Sequence, residues 1–225
     1  MSKNALFDDE AKKWESLYSD SSRERWGIFQ GSVRRRTQAR MDLCLSLLPP
    51  LAGKSVIELG CGPGYYGLRL IRGGGTWTGL DISARMLAVC RDRTGSRRIV
   101  CGDVLALPFR RDACDILLCI GVVSYLKICE ISELFSQAFD AVRKGGVFLV
   151  QTVRFDPFTW VRCRLPRCIP RPLRIPGPFY PRSPRTIARL LEENGFRLQS
   201  VMPYRKYIVY PAGTIYLAEK DPKSQ

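Results

Sequence analysis

Val56-Ile57-Glu58-Leu59-Gly60-Cys61-Gly62-Pro63-Gly64 is an apolar run that ends in three alternating glycines, and the helical stretch Tyr65 to Arg72 comes directly after it. Glycine belongs where the backbone turns sharply, or where a ligand must meet the main chain with no Cβ between them. A strand, a glycine loop and a helix in that order open a β-α-β unit with a binding site at the strand's carboxyl end. A dinucleotide fingerprint beginning at Gly60 would carry its third glycine at position 65, where this chain has Tyr65. The spacing argues against a pyrophosphate ligand.

The alternation continues outward from this loop. Short apolar runs at Ser55 to Leu59, Thr76 to Asp81, Arg98 to Gly102, Asp115 to Ile120 and Val147 to Val153 are separated by helix candidates at Tyr65 to Arg72, Ser83 to Arg93 and Ile131 to Arg143. Buried strands alternating with helices predict an α/β fold, a Rossmann-like doubly wound sheet with helices on both faces. Two last runs, Phe196 to Met202 and Gly213 to Glu219, predict a final strand pair, so the mostly parallel sheet ends in an antiparallel closing strand. Before that pair, Ser183 suits an N-cap, Pro184 the first helical position, and Gly195 a helix stop. Towards the amino terminus, Trp14, Leu17 and Tyr18 recur at helical spacing. A second helix, Arg34 to Leu48, carries Met41, Leu45 and Leu48 on one face and ends at Pro49-Pro50. The organisation predicted is a helical cap over 1–50, the α/β core over 51–153, a Pro/Arg-rich segment over 154–185, and a helix with the closing strand pair over 186–225.

A chain of 225 residues, 45% of them hydrophobic, can build one large core. It has no apolar run near the ~20 residues of a spanning helix, and Met1 to Lys13 is too polar for a signal peptide, so a cytoplasmic protein is expected. Nine cysteines are an odd number without a CxxC pair, and several sit in apolar runs (Cys90, Cys101, Cys119), which suits reduced core thiols. With no histidine and no cysteine set of ligand spacing, no metal site is expected. Proton transfer near neutral pH would fall to Asp, Glu, Tyr, Lys, Cys or water. The net charge of +15 favours an anionic partner.

Two further acids lie at strand ends. Asp81 closes the run Thr76 to Asp81, seventeen positions after Gly64, where a carboxylate can accept hydrogen bonds from both hydroxyls of a ribose. The next run ends in Cys101-Gly102-Asp103-Val104, which sets Asp103 and the Val104 amide at the edge of a base.

The ordered series Val56 to Gly64, Gly79-Leu80-Asp81-Ile82-Ser83, Gly102-Asp103-Val104 with Leu107-Pro108-Phe109, and Lys144-Gly145-Gly146 resembles the motifs of class I S-adenosylmethionine-dependent methyltransferases over roughly residues 50 to 153. The resemblance implies S-adenosylmethionine as cofactor. It implies that Glu58, Gly60 and Gly62 shape the pocket for its methionine part, with Cys61 and Gly64 of the same loop also cofactor-binding, and that Asp81 holds the ribose. Ile82 and Met86 would pack on the adenine, Asp103 and Val104 would meet its edge, and Ile120 would line the pocket at the end of the fourth strand. The stretch Phe7 to Tyr18 is similar to the lead-in helix of small-molecule methyltransferases, which would bring Trp14 and Tyr18 over the cofactor.

The residues after the fourth strand bear on the acceptor. Gly121-Val122-Val123-Ser124-Tyr125-Leu126 lacks the Asn/Asp-Pro-Pro-aromatic motif of enzymes that methylate exocyclic amines, and Ile120-Gly121 offers no acidic metal ligand. A metal-independent enzyme acting on a small molecule is expected, with Tyr18 and Tyr125 as candidate catalytic groups. The segment 154–185 holds eight prolines from Pro157 to Pro184, one acid, Asp156, and arginines interleaved with aromatic residues. A stretch of this kind after the fifth strand emerges at the carboxyl edge of the sheet, placed to cover an acceptor pocket. Trp160, Arg162, Arg164 and Tyr180 are its candidate acceptor contacts. They suit a partly apolar acceptor carrying a carboxylate or phosphate, and a peripheral contact with an anionic membrane surface. The competing partner is RNA, met by the same arginines and aromatic rings, and a second alternative is a non-catalytic scaffold that binds the cofactor.

Overall fold

The computed structural model describes residues 7–8, 27–153, 178–205 and 211–221. The fold is the α/β, Rossmann-like arrangement expected: among the described residues there are seven strands, mostly parallel, of which one closing strand is antiparallel. The chain divides into two compact units, Met1–Pro108 and Phe109–Gln225.

In the first unit a long helix, α1 (Gly27–Ser46), leads into β1 (Ser55–Leu59), α2 (Tyr65–Arg72), β2 (Thr76–Asp81), α3 (Ala84–Thr94) and β3 (Ile99–Cys101). Strands β1 and β2 pair in parallel from Ser55 with Thr76 to Leu59 with Leu80, and β2 pairs in parallel with β3. Right-handed α/β connections require helices between such strands, and α2 and α3 supply them. Helix α1 buries Met41 and Cys44. Helix α3 starts at Ser83, whose Oγ accepts from the Met86 amide at 3.1 Å, and stops at Gly95 with φ 65°. Cysteines 44, 61 and 90 are buried thiols, but Cys101 is exposed, contrary to the expectation that it is core. The short edge strand β3 leaves it nothing to pack under.

In the second unit β4 (Cys114–Ile120) runs through a 3₁₀ turn (Val123–Tyr125) into α4 (Ile128–Ala141), then β5 (Val142–Val153), α5 (Pro184–Glu193), β6 (Phe196–Arg205) and β7 (Pro211–Lys220). Strands β4 and β5 are parallel, whereas β7 lies antiparallel to both β5 and β6. Strand β5 begins earlier than the apolar run Val147 to Val153 implied. Val142 pairs with Cys114 and Val147 with Ile116, so the intervening residues, including Lys144-Gly145-Gly146, bulge from the ladder, with Gly145 at φ 73°. The Ser183 cap, Pro184 start and Gly195 turn at φ 88° all form as expected, which gives the last two residues of the Pro/Arg-rich segment to α5.

Candidate cofactor site

The glycine loop is closed upon itself by backbone bonds. The amides of Gly60 and Cys61 both donate to the Leu80 carbonyl, at 2.7 and 3.0 Å, and the Gly64 amide donates to the Cys61 carbonyl at 3.1 Å. Gly62 donates to Asp81 Oδ2 at 2.8 Å. Gly60, Gly62 and Gly64 all have positive φ, at 67°, 51° and 78°, a region that residues with a Cβ enter at a cost of about 1 kcal/mol or more. Space distinguishes them. A Cβ at Gly64 would lie 2.7 Å from Cys90 Sγ, so this glycine permits α2 to pack on α3, whereas a Cβ at Gly62 would meet nothing within 4 Å among the described residues. Among those residues the open face of the loop is at Gly62.

Asp81 holds the turn at the end of β2. Its Oδ1 accepts from the Ser83 amide at 2.9 Å while Oδ2 takes the Gly62 amide, and the residue is 8% exposed. Burial raises its carboxyl pKa above the ordinary 3.8, against the lowering pull of those amide bonds. A carboxylate has about four acceptor positions; Ser83, Gly62 and the nearby Ile82 amide draw on them, which among the described residues leaves room for a hydroxyl donor. Ser83 Oγ donates to Asp8 Oδ1 at 2.5 Å, and the Arg85 amide reaches the same oxygen at 3.4 Å, which brings the amino-terminal segment to the start of α3.

Glu58 is 2% exposed and accepts from Trp77 Nε1 at 2.9 Å. Burial lifts its carboxyl well above the usual 4.5, only partly offset by the indole bond. The Trp77 ring fits because Gly67 and Gly79 leave room for it, a Cβ on either falling 2.5 to 2.6 Å from the ring. Cys61 turns inward: a Cβ at Gly79 would stand 2.8 Å from its sulfur, and its thiol pKa is raised by a hydrogen bond with Cys90 and by burial. Its side chain is core, which leaves its backbone to shape the loop.

Asp103 lies past β3, with Oδ1 accepting from the Leu105 amide at 3.0 Å in an Asx turn. Ile82 is half-buried beside Asp81, while Met86 and Val104 are buried. Glu58, Gly60, Cys61, Gly62, Gly64, Asp81, Ile82, Met86, Asp103 and Val104 thus belong to the first unit, on the glycine loop, on β1, or at and beyond the ends of β2 and β3. Ile120 stands in the second unit, at the end of β4, as does Tyr125 in the 3₁₀ turn. Trp14, Tyr18, Trp160, Arg162 and Arg164 lie outside the described residues. Tyr180 is described, half-buried, and its amide donates to the Ser124 carbonyl at 2.7 Å.

One residue that holds this loop from outside is not announced by the sequence. Arg93 Nη1 donates to the Pro63 carbonyl at 2.5 Å while its guanidinium covers the Tyr65 ring at 3.8 Å. It fastens the loop to the last turn of α3. No spacing rule links positions 63 and 93.

Residues 56–146 match the model of a methyltransferase domain family. The chain is 29% identical to malonyl-[acyl-carrier protein] O-methyltransferase of Pectobacterium atrosepticum over 109 residues, 48% of this chain and 42% of that protein. It is 29% identical to 18S rRNA (guanine-N(7))-methyltransferase of Bos taurus over 108 residues, 43% of this chain and 38% of that one. The chain thus spans less than half the length of these curated relatives. In three dimensions it is similar to magnesium protoporphyrin IX methyltransferase from Synechocystis PCC 6803 with bound S-adenosylhomocysteine, at TM-score 0.78 and 18% identity, covering 97% of this chain and 98% of that one. Geranyl diphosphate C-methyltransferase from Streptomyces coelicolor A3(2) aligns at TM-score 0.72 and 14% identity, with 96% of each chain covered. The strand, the glycine loop and the acidic strand end all fall inside the span that matches the methyltransferase domain family.

Proposed function

We propose that this protein is a methyltransferase that uses S-adenosylmethionine to methylate a small, anionic and partly apolar acceptor by direct in-line transfer. The observation that carries the cofactor assignment is the conjunction at Gly62 and Asp81. Among the described residues an open glycine is bonded through its amide to a buried carboxylate that keeps room for a hydroxyl donor, in a chain of net charge +15. The loop amides of Gly60, Cys61, Gly62 and Gly64 are all spent inside the chain, which suits a nucleoside better than a phosphate needing free N–H groups.

The residues fit the group. Asp81 would hold the ribose hydroxyls, Ile82 and Met86 would flank the adenine, and the outer Asp103 oxygen and the Val104 amide would meet the base edge. The backbone of Gly60 to Gly64 would carry the methionine part, with Glu58 beneath it at the end of β1, and Ile120 is a further candidate contact. When bound, the sulfonium supplies the electrophilic methyl. The chain's part is to align the acceptor and exclude water, which alone lowers such a barrier by several kcal/mol. An ionised acceptor carboxylate needs no base. For a protonated acceptor, Tyr125 is the candidate to hydrogen-bond the acceptor and, as its phenolate, to receive the proton, with Tyr18 a second candidate.

An anionic acceptor is supported by the charge and by the arginines of 154–185, and a relative is named for O-methylation of a malonyl group. No acidic side chain stands from Ile120 to Leu126, which favours transfer without a metal. The same charge, with the resemblance to an rRNA methyltransferase, supports RNA as the second reading. Calorimetric titration with S-adenosylmethionine, S-adenosylhomocysteine and NADH tests the cofactor: the first two should bind at micromolar levels and NADH should not. Steep salt-dependent binding of mixed RNA would move the acceptor to the second reading.

A further inference from the structure

Gln151 stands near the carboxyl end of β5, opposite Ile120 of β4 and Ile215 of β7, and is fully buried. Its Nε2 donates to the Tyr204 hydroxyl at 2.5 Å. Its Oε1 is buried and has no hydrogen-bond partner among the described residues. A buried acceptor without a donor is costly, so such an atom calls for a ligand, a water or a strained site to explain it.

The space that this oxygen borders is defined by Gly121, the first residue past β4. Gly121 has φ 78°, and among the described residues a Cβ placed on it would meet nothing nearer than Gln151 Oε1, at 4.0 Å. Its amide donates to the Gln151 carbonyl at 3.1 Å, which locks the two residues together. Further along the same turn, Ser124 takes the Tyr180 amide on its carbonyl, and the Tyr125 ring meets Phe179 edge to face at 5.4 Å. The carboxyl end of β4 therefore presents an open glycine, one unsatisfied amide oxygen and an aromatic pair nearby in sequence. Ligands of open α/β sheets bind at this edge of the strands.

We infer that Gln151 Oε1 is a specificity determinant that accepts a hydrogen bond from a hydroxyl or N–H group on the apolar part of the methyl acceptor, at the opening over Gly121. The inference rests on the methyltransferase reading and deepens it: the acceptor would carry a hydrogen-bond donor distinct from its anionic group. Tyr204 is the positioning residue, because its bond to Nε2 turns the carbonyl oxygen toward Gly121.

The test uses the full chain saturated with S-adenosylhomocysteine and two probes, 4-fluorophenol and 4-fluoroanisole, titrated by ¹⁹F NMR. The pair differs in the presence of a donor. Wild type should bind the phenol about tenfold more tightly, the scale of one buried hydrogen bond. Gln151→Leu should erase the preference and leave S-adenosylhomocysteine affinity within twofold, while Gln151→Glu, which keeps an acceptor oxygen there, should retain it and serves if the leucine variant does not fold. Equal binding of the two probes to wild type, absent phenol binding, or an undiminished preference in Gln151→Leu would overturn the assignment. Failure of S-adenosylhomocysteine to bind wild type would instead remove the methyltransferase reading on which it stands.

Discussion

Asp81 and Glu58 are both buried acids, yet their partners differ, and so do the consequences of changing them. Asp81 takes two backbone amides, so its substitution strikes both the loop and any ribose. Asp81→Asn should weaken S-adenosylmethionine by about 1–3 kcal/mol and lower the melting temperature as well, because an amide nitrogen would face one of the two N–H donors. Unchanged calorimetric affinity in a folded variant would free Asp81 from the ribose. Glu58 binds one indole, and burial raises its pKa in the folded chain above the ordinary 4.5. With the folded value above the unfolded one, its stabilising contribution is complete below pH 4.5 and is lost as pH rises through the raised value. Apo-protein stability should therefore fall as pH climbs above 4.5, and Glu58→Gln should flatten that fall while its carbonyl oxygen still accepts from Trp77. Urea unfolding of both proteins across that range measures the difference in slope.

Whole elements depend on distant partners in the same way. Lys220 closes β7 with its ammonium donating to the Val142 carbonyl at 2.7 Å and to Asp112 Oδ1 at 3.1 Å, and the same group lies 4.8 Å from the Phe139 ring centroid. It is buried, and it ties the end of β7 to the start of β5 and to the turn before β4. Lys220→Met should cost about 1–3 kcal/mol in denaturant unfolding, by leaving the Val142 carbonyl without its donor, and should leave cofactor affinity untouched. Elements of this chain were legible where local pattern decides: β1, β2 and α2 run over the residues expected, and the Ser183-Pro184 helix start forms. Pattern misled where partners decide. Val142 joins β5 through a bulge that no hydrophobic period announces, and Cys101 sits in an apolar run that becomes an exposed edge strand. The site divides in the same way. Glycines and strand-end acids are visible in sequence, but the links Arg93 to Pro63, Trp77 to Glu58 and Gln151 to Tyr204 join residues 19 to 53 positions apart, and no spacing rule connects them.

Across the whole molecule, the excess of 36 basic over 21 acidic residues coexists with a cluster of buried acids, Glu58 and Asp81, in the first unit. A cationic cofactor suits the acids, and an anionic acceptor suits the remainder. The arginines Arg162, Arg164 and Arg167 lie outside the described residues, but further along the same segment the Tyr180 amide is bonded to Ser124 in the turn after β4. That attachment holds the carboxyl end of the segment beside the turn where the acceptor is proposed to sit. Replacing the three arginines together by glutamate would reverse six units of charge over a short stretch. If they face an anionic acceptor, each lost charge-assisted bond is worth about 1.5–3 kcal/mol, and KM for a carboxylate acceptor should rise more than tenfold while S-adenosylmethionine affinity stays within twofold. Raising ionic strength should narrow the gap between wild type and variant, because exposed charges are screened over a Debye length of about 10 Å at 0.1 M. A KM indifferent to both the reversal and the salt would assign these arginines to solvent, and would leave the acceptor to be recognised by its apolar and hydrogen-bonding groups alone.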